Sequence, residues 1–141
     1  MYNGQCLCAS VRFRIEGELQ PIQVCHCSQC RRAQGGPFAT NIPVDEASFA
    51  LLAGSDVLSE YESSPGKYRV FCRTCGSPVF SKKNALPGVL RVRAGLISEP
   101  LETRAIGHFF FGSKANWWPI EDGLPRFDGP YKPKSASPSE R

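Results

Sequence analysis

Seven cysteines stand in three tight groups, and their spacing limits the fold more than any other feature of the chain. Cys6 and Cys8 form C-x-C near the N-terminus. Cys25-His26-Cys27-Ser28-Gln29-Cys30 reads C-x-C-x-x-C, and Cys72 with Cys75 forms C-x-x-C. A zinc–sulfur bond is about 2.3 Å long and the geometry tetrahedral, which sets ligand sulfurs about 3.8 Å apart. Thiols at i and i+2 on a flat strand share a face but lie about 6.6 Å apart, so C-x-C suits a metal only where a strand curls or ends. C-x-x-C does so more readily, because one turn brings i and i+3 together. Seven thiols divide into four and three, and zinc sites divide the same way. A four-thiolate site is closed and structural, whereas a three-thiolate site keeps one position open for chemistry.

The chain has 141 residues, enough for one domain with a core that needs no disulfide staples. The sequence shows no charged-then-apolar leader and no apolar run of membrane length. With an odd cysteine count, this reads as a cytoplasmic protein whose thiols are reduced and hold metal. A net charge of +4 without any Lys/Arg run longer than two argues against nucleic-acid binding and favours a small anionic substrate.

Residues 10–16 alternate strictly, with Val11, Phe13 and Ile15 on one face, and predict a half-buried strand. Ile22–Cys25 reads as a short strand, and Cys27 to Gln34 as one or two helical turns stopped by Gly35-Gly36-Pro37. Further strands are expected at Phe38–Val44, Phe49–Leu52, Val57–Tyr61, Lys67–Phe71, Val79–Ser81 and Val89–Arg93, separated by turns rich in Gly, Ser and Pro. Cys72-Arg73-Thr74-Cys75-Gly76 has the shape of a zinc knuckle, the glycine permitting a positive φ after the second ligand. From Gly107 to Phe127 the chain is aromatic, which reads as a hydrophobic cap on the core in preference to a ligand-stacking surface. Residues 1–127 are expected to form the domain, and 128–141, rich in Pro, Ser and Lys, a disordered tail. The sum is a mainly β domain.

Two groupings of the thiols compete. Cys6, Cys8, Cys72 and Cys75 can form the closed site and leave Cys25, Cys27 and Cys30 as the open one. Alternatively the two C-x-x-C units, Cys27/Cys30 and Cys72/Cys75, pair as in a zinc ribbon. Spacing mildly prefers the first, because Cys25, Cys27 and Cys30 are local and need no long loop closure.

The motifs together resemble one family. Gly4-x-Cys6-x-Cys8-x-x-Val11-x-Phe13 comes first, then Cys25-His26-Cys27-x-x-Cys30-Arg31. Ser63-Ser64-Pro65-Gly66-Lys67 follows and leads into Phe71-Cys72-x-x-Cys75-Gly76-Ser77. With His108, Ser113-Lys114-Ala115, Trp117 and Gly123-Leu124-Pro125-x-Phe127, this pattern resembles the glutathione-dependent formaldehyde-activating enzyme (GFA) family. The resemblance implies a zinc-stabilised Mss4-like fold of several short coiled antiparallel sheets and selects the first grouping. It implies two Zn2+ sites, one structural with four cysteines and one catalytic on Cys25, Cys27 and Cys30. It also implies a carbon–sulfur lyase or thiol-adduct synthase that joins glutathione to formaldehyde. One departure is Ala9, where the family usually has glycine.

Three thiolates around zinc carry a formal charge of −1, and so electron-rich a metal is a poor activator of water. A soft site is better matched to a fourth sulfur, so the expected ligand is a substrate thiol that attacks a small aldehyde. Glutathione has two carboxylates, and Arg31, Arg32 and Arg73 are the candidate partners, set against their being solvated surface charges. His26 flanks two ligands but on a strand points away from both. His108 reads as a core residue. The competing class is a non-catalytic zinc-stabilised module that binds a thiol ligand or a protein partner. A fourth protein ligand at the three-cysteine site favours the module, and an open position facing a cleft favours the enzyme.

Overall fold

In the computed structural model, which describes residues 1–132, the alternation at Val11, Phe13 and Ile15 becomes a strand whose apolar side chains are at most 1% exposed. In chain order the elements are β1 (Tyr2–Gln5), β2 (Arg12–Ile15), β3 (Ile22–Cys25), α1 (Ser28–Gln34), β4 (Ala39–Asp45) and β5 (Phe49–Ala53). They continue as β6 (Leu58–Ser64), β7 (Lys67–Cys72), β8 (Pro78–Lys83), β9 (Val89–Arg93) and β10 (Ala105–Phe109). The fold is mainly β, as expected. Strands β1, β2 and β5 make an antiparallel three-stranded sheet. The other seven make a sheet in the order β10-β3-β4-β9-β8-β7-β6, antiparallel except that β10 runs parallel to β3. Neither β1 nor β10 was expected, since neither Tyr2–Gln5 nor Ala105–Phe109 shows a period-two pattern.

The core lies between the two sheets. Phe13 and Ile15 of β2 meet Ile42 and Val44 of β4 and Leu90 and Val92 of β9 in one buried cluster. Side chains alternate along a strand, so the other face of the large sheet carries a different set. Cys25, Gln23, Asn41 and Arg93 share that face through the registers Cys25↔Ala39, Gln23↔Asn41 and Asn41↔Arg93. Cys25 and these polar side chains are therefore mounted on the back of the sheet that seals the core.

The aromatic stretch is only partly the expected cap. Phe109 is buried, whereas Trp117 is 61% exposed and Trp118 46%. The segment that contains them follows β10, and the two indoles meet edge to face, with centroids 6.4 Å apart, both of them exposed. Of the tail expected from Asp128, residues 133–141 lie outside the described residues. Residues 128–132 pack on β10: Phe110 donates its N–H to the Gly129 carbonyl at 3.0 Å, and Tyr131 sits edge-on to Phe109. Among the described residues no helix is long and apolar enough to cross a membrane.

Ala9 sits at φ +65°, left-handed backbone that favours glycine, in the loop that carries Cys6 and Cys8. An L-residue there costs about 1–2 kcal/mol, and a glycine returns part of that as chain entropy. Ala9→Gly is expected to raise stability by up to about 1 kcal/mol, measured by urea denaturation of metal-saturated protein.

Candidate metal centres and the adjoining cleft

The first grouping of thiols is the one the fold assembles. Cys6, Cys8, Cys72 and Cys75 converge, as do Cys25, Cys27 and Cys30, each set with its sulfurs within 4.8 Å of one another. The ribbon-like pairing of Cys27/Cys30 with Cys72/Cys75 is not formed. The loop between β1 and β2 curls at Ala9, whose N–H donates to the Cys6 carbonyl at 3.1 Å, and this curl brings the C-x-C sulfurs to 3.7 Å. Cys72 closes the end of β7. Its carbonyl accepts from Gly76 N–H at 2.7 Å, and Gly76 takes φ +80° as the knuckle pattern predicted. Cys8 and Cys72 lie 3.8 Å apart although 64 residues separate them in the chain. The Ser77 hydroxyl stands 3.2 Å from the Cys75 sulfur, and hydrogen bonding from Ser77 pulls that thiol down to about 5.

The second set forms where β3 hands over to α1. Cys25 ends β3, and Cys27 is the helix N-cap, its sulfur accepting from Cys30 N–H at 3.3 Å. The Cys25–Cys27 separation is 3.6 Å. Gly35 at φ +71° stops the helix where Gly35-Gly36-Pro37 predicted. The neighbouring sulfurs and then the Arg69 guanidinium push the Cys30 thiol far below its usual range, while Cys27 and Cys30 push Cys25 far above it. In both sets the close separations match the tetrahedral edge of about 3.8 Å, so each donor set fits zinc. Both can hold a metal ion. The larger set supplies four protein ligands and the smaller one three.

His26 points away from the sulfurs, as strand alternation predicted, and is fully buried. Its Nε2 lies 2.8 Å from His108 Nδ1, and His108 Nε2 lies 2.8 Å from an Asp122 carboxylate oxygen. Asp122 accepts, so His108 donates from Nε2 and receives at Nδ1 the proton of His26 Nε2. His108 is thus buried as expected, but it also links β3 to the segment beyond β10. Burial first, with the ring of His108 and the Lys114 ammonium nearby, holds the His26 imidazole down at about 4 and therefore neutral. Asp122 had no marker in the sequence. His108→Leu should strand the buried His26 donor and cost about 1–3 kcal/mol, more than Asp122→Ala at the exposed end, in chemical denaturation of metal-loaded protein.

The three-cysteine site opens on a cleft of about 610 Å³ lined by Cys25, Cys27, Lys67, Lys83, Arg91 and Phe110, among others, with no carboxylate in the wall. Burial and the nearby Arg69 depress the Lys67 ammonium, and burial and Arg91 depress Lys83. Phe110 holds φ +53°, a strained position for a bulky residue at the rim. Arg31 and Arg32 lie in the last turn of α1, where cations suit the free carbonyls, and neither lines this cleft. Arg73 belongs to the four-cysteine knuckle and donates to the Asp56 carbonyl at 3.0 Å. The structure therefore brings the three thiols together with Lys67, Lys83 and Arg91. Lys67 stood in the quoted Ser63–Lys67 motif, but nothing in its neighbours marked it as a cleft residue.

A family model described as glutathione-dependent formaldehyde-activating enzyme matches residues 1–113. The chain belongs to that family. A Halomonas elongata protein that bears the family's name provisionally is 31% identical over 130 residues, covering 86% of this chain and 82% of its own. A Schizosaccharomyces pombe protein described as an uncharacterized lyase is 28% identical over 79 residues, 56% of each chain. A solved structural-genomics target from Rhodobacter sphaeroides superposes with a TM-score of 0.61 at 22% identity, covering 73% of this chain and 98% of its own, and shares the fold. Within the GFA family's pattern, the positive φ of Ala9 gives the physical reason for the usual glycine.

Proposed function

We propose that this GFA-family protein is a zinc-dependent carbon–sulfur lyase or thiol-adduct synthase. Its substrates are a carboxylate-bearing thiol such as glutathione and a small aldehyde such as formaldehyde. The observation that carries the reading is the three-thiol set with no fourth protein ligand among the described residues, facing a cleft walled by cations. Cys25, Cys27 and Cys30 would hold the metal, which when bound supplies a soft position that favours a thiol in its deprotonated form. Lys67, Lys83 and Arg91 stand where the substrate's carboxylates would lie, which makes them better candidates than Arg31, Arg32 or Arg73. In the forward direction a C–S bond forms between thiol sulfur and aldehyde carbon, and the thiol proton passes through solvent to the former carbonyl oxygen. The reverse step regenerates both. Reduced thiols suit the cytoplasm. The second, four-cysteine zinc is structural.

Cobalt-loaded protein tests the reading. Glutathione at millimolar concentration is expected to change the sulfur-to-cobalt charge-transfer band, and carboxylates or phosphates of similar size to leave it unchanged. Absence of any change with thiols would sink the enzyme reading. Lys67→Ala and Arg91→Ala should each weaken glutathione by about 1–3 kcal/mol, as for a charge-assisted hydrogen bond. Binding of 2-mercaptoethanol should barely move. The exposed Trp117–Trp118 pair is a feature that favours the binding-module alternative. A module predicts no adduct formation when thiol, formaldehyde and metal-loaded protein are mixed and followed by NMR.

A further inference from the structure

Two arginines are buried behind the three-cysteine site without an acid to pair with. Arg69 is 8% exposed and Arg93 4%. Arg69 donates from Nε to the Ser63 hydroxyl at 3.2 Å, and from Nη2 to the Gln29 side-chain oxygen at 3.5 Å and the Cys30 sulfur at 3.8 Å. Its Nη1 has no partner. Arg93 donates from Nη1 to the Asn41 side-chain oxygen at 2.6 Å, the Arg91 carbonyl at 3.0 Å and the Ser81 hydroxyl at 3.4 Å, and its Nε has no partner. Apart from the Cys30 sulfur, every acceptor is neutral. Among the described residues the ion pairs are Lys82–Glu60 and His108–Asp122, both elsewhere.

A guanidinium taken out of water without an anion costs several kcal/mol, and arginine escapes that cost by deprotonation less readily than any other cation. The anion must therefore come from something the fold places beside them. On the sheet, Ser81 is the residue the two arginines share: it pairs in register with Arg69 and accepts from Arg93. Both sit on the face that carries Cys25, and Arg69 touches Cys30 directly. The thiol set is the anionic group within reach.

Charge counting then sets the ligand. Three thiolates with a divalent ion leave −1, and the two buried guanidiniums turn that into +1 before Lys67, Lys83 and Arg91 of the cleft wall are added. A fourth ligand bound as a thiolate offsets part of that positive excess, while water leaves all of it. The four-cysteine site differs: Cys8 there is exposed, so solvent can screen its charge without a buried cation.

We propose that Arg69, with Arg93 behind it, is the built-in counter-charge of the Cys25–Cys27–Cys30 site. The pair sets buried positive charge beside the three sulfurs and leaves the open position with a positive excess, so that its fourth ligand binds as an anion. This rests on the reading of the trio as the metal centre. Both arginines are positioning residues; neither lines the cleft.

The test uses Arg69→Gln and Arg69→Lys in the full chain, titrated with cobalt against a chromophoric chelator, with the four-cysteine site as internal control. Arg69→Gln is expected to weaken cobalt at the trio about tenfold or more, as for loss of a hydrogen bond to a charged group. It should also move the trio's charge-transfer band to longer wavelength, because a thiolate without its cation gives up electrons more easily. The four-cysteine site should be unchanged, and Arg69→Lys should recover most of both effects. An unchanged affinity and band in Arg69→Gln overturns the proposal, as does equal damage in the Gln and Lys variants, which would assign the residue to shape rather than charge. Arg93→Gln carries the same expectation at smaller amplitude and replaces Arg69→Gln if that variant does not fold. Wild-type protein that takes no cobalt at the trio defeats the underlying metal-centre reading. Wild-type protein that takes cobalt with a Gln variant that behaves identically defeats only the counter-charge.

Discussion

Cys75→Ser should leave the chain insoluble or broadly unfolded, while Cys30→Ser stays folded and holds about one zinc fewer. The difference comes from what each metal would join. Cys6 and Cys8 lie in the loop between β1 and β2, Cys72 ends β7 and Cys75 lies in the turn before β8, so one ion would tie the small sheet to the large one. Structural zinc contributes about 10–16 kcal/mol of apparent binding energy directly to folding. A domain of this kind has only about 5–15 kcal/mol of net stability, so losing one of four ligands removes a share comparable to the whole. Cys25, Cys27 and Cys30 span six residues, and a metal there closes almost no loop. Metal analysis and thermal melts of both variants check this. A Cys30→Ser protein that unfolds as badly as Cys75→Ser would make both sites structural and hand the function to the binding-module reading.

Phe13→Ala should cost about 3–5 kcal/mol, the largest effect expected of any substitution away from the cysteines. Phe13 is fully buried, stacks on Phe49 with ring centroids 5.1 Å apart, and lies against β1 so closely that a Cβ on Gly4 would come within 2.2 Å of its ring. The ring, carried on β2, therefore both seals the core and seats the strand β1 that leads to Cys6. Urea unfolding of zinc-saturated protein should show a lower midpoint with an unchanged slope. Trp117→Ala, at an exposed position, should stay within about 0.5 kcal/mol of wild type. Similar losses in the two variants would mean the core does not lie where the sheets place it.

Residues whose role depends on near neighbours were readable in the sequence. The alternation of Val11, Phe13 and Ile15 determined a half-buried strand, because a period of two has one reading on a pleat. Cys27 to Gln34 determined a short helix, because Gly35-Gly36-Pro37 ends it in any context. The tight spacing of Cys25, Cys27 and Cys30 mildly favoured a local three-thiol set, and Cys72-x-x-Cys75-Gly76 marked a knuckle with its left-handed glycine. The motifs in order were enough to place the chain in its family.

The tertiary structure alone decided which groups meet across the sheet. Sequence spacing only mildly preferred one of two ways to group the thiols, and the approach of Cys8 to Cys72 is what joins the distant pairs in space. Strand β10 carries no alternation, and it forms because β3 offers it an edge to run beside. His26, His108 and Asp122 came from three segments whose meeting depends on that parallel pairing. The cations were the largest surprise: Arg31 and Arg32, adjacent to Cys30 in the chain, are carried round the helix away from the cleft. Lys67, Lys83 and Arg91 reach it from three neighbouring strands of the sheet, and Arg69 and Arg93 lie behind it. A helix turns adjacent residues through about 100° each, whereas a sheet gathers residues far apart in sequence onto one face. For that reason the two groups of thiols were legible from the sequence, and the charges that surround them were not.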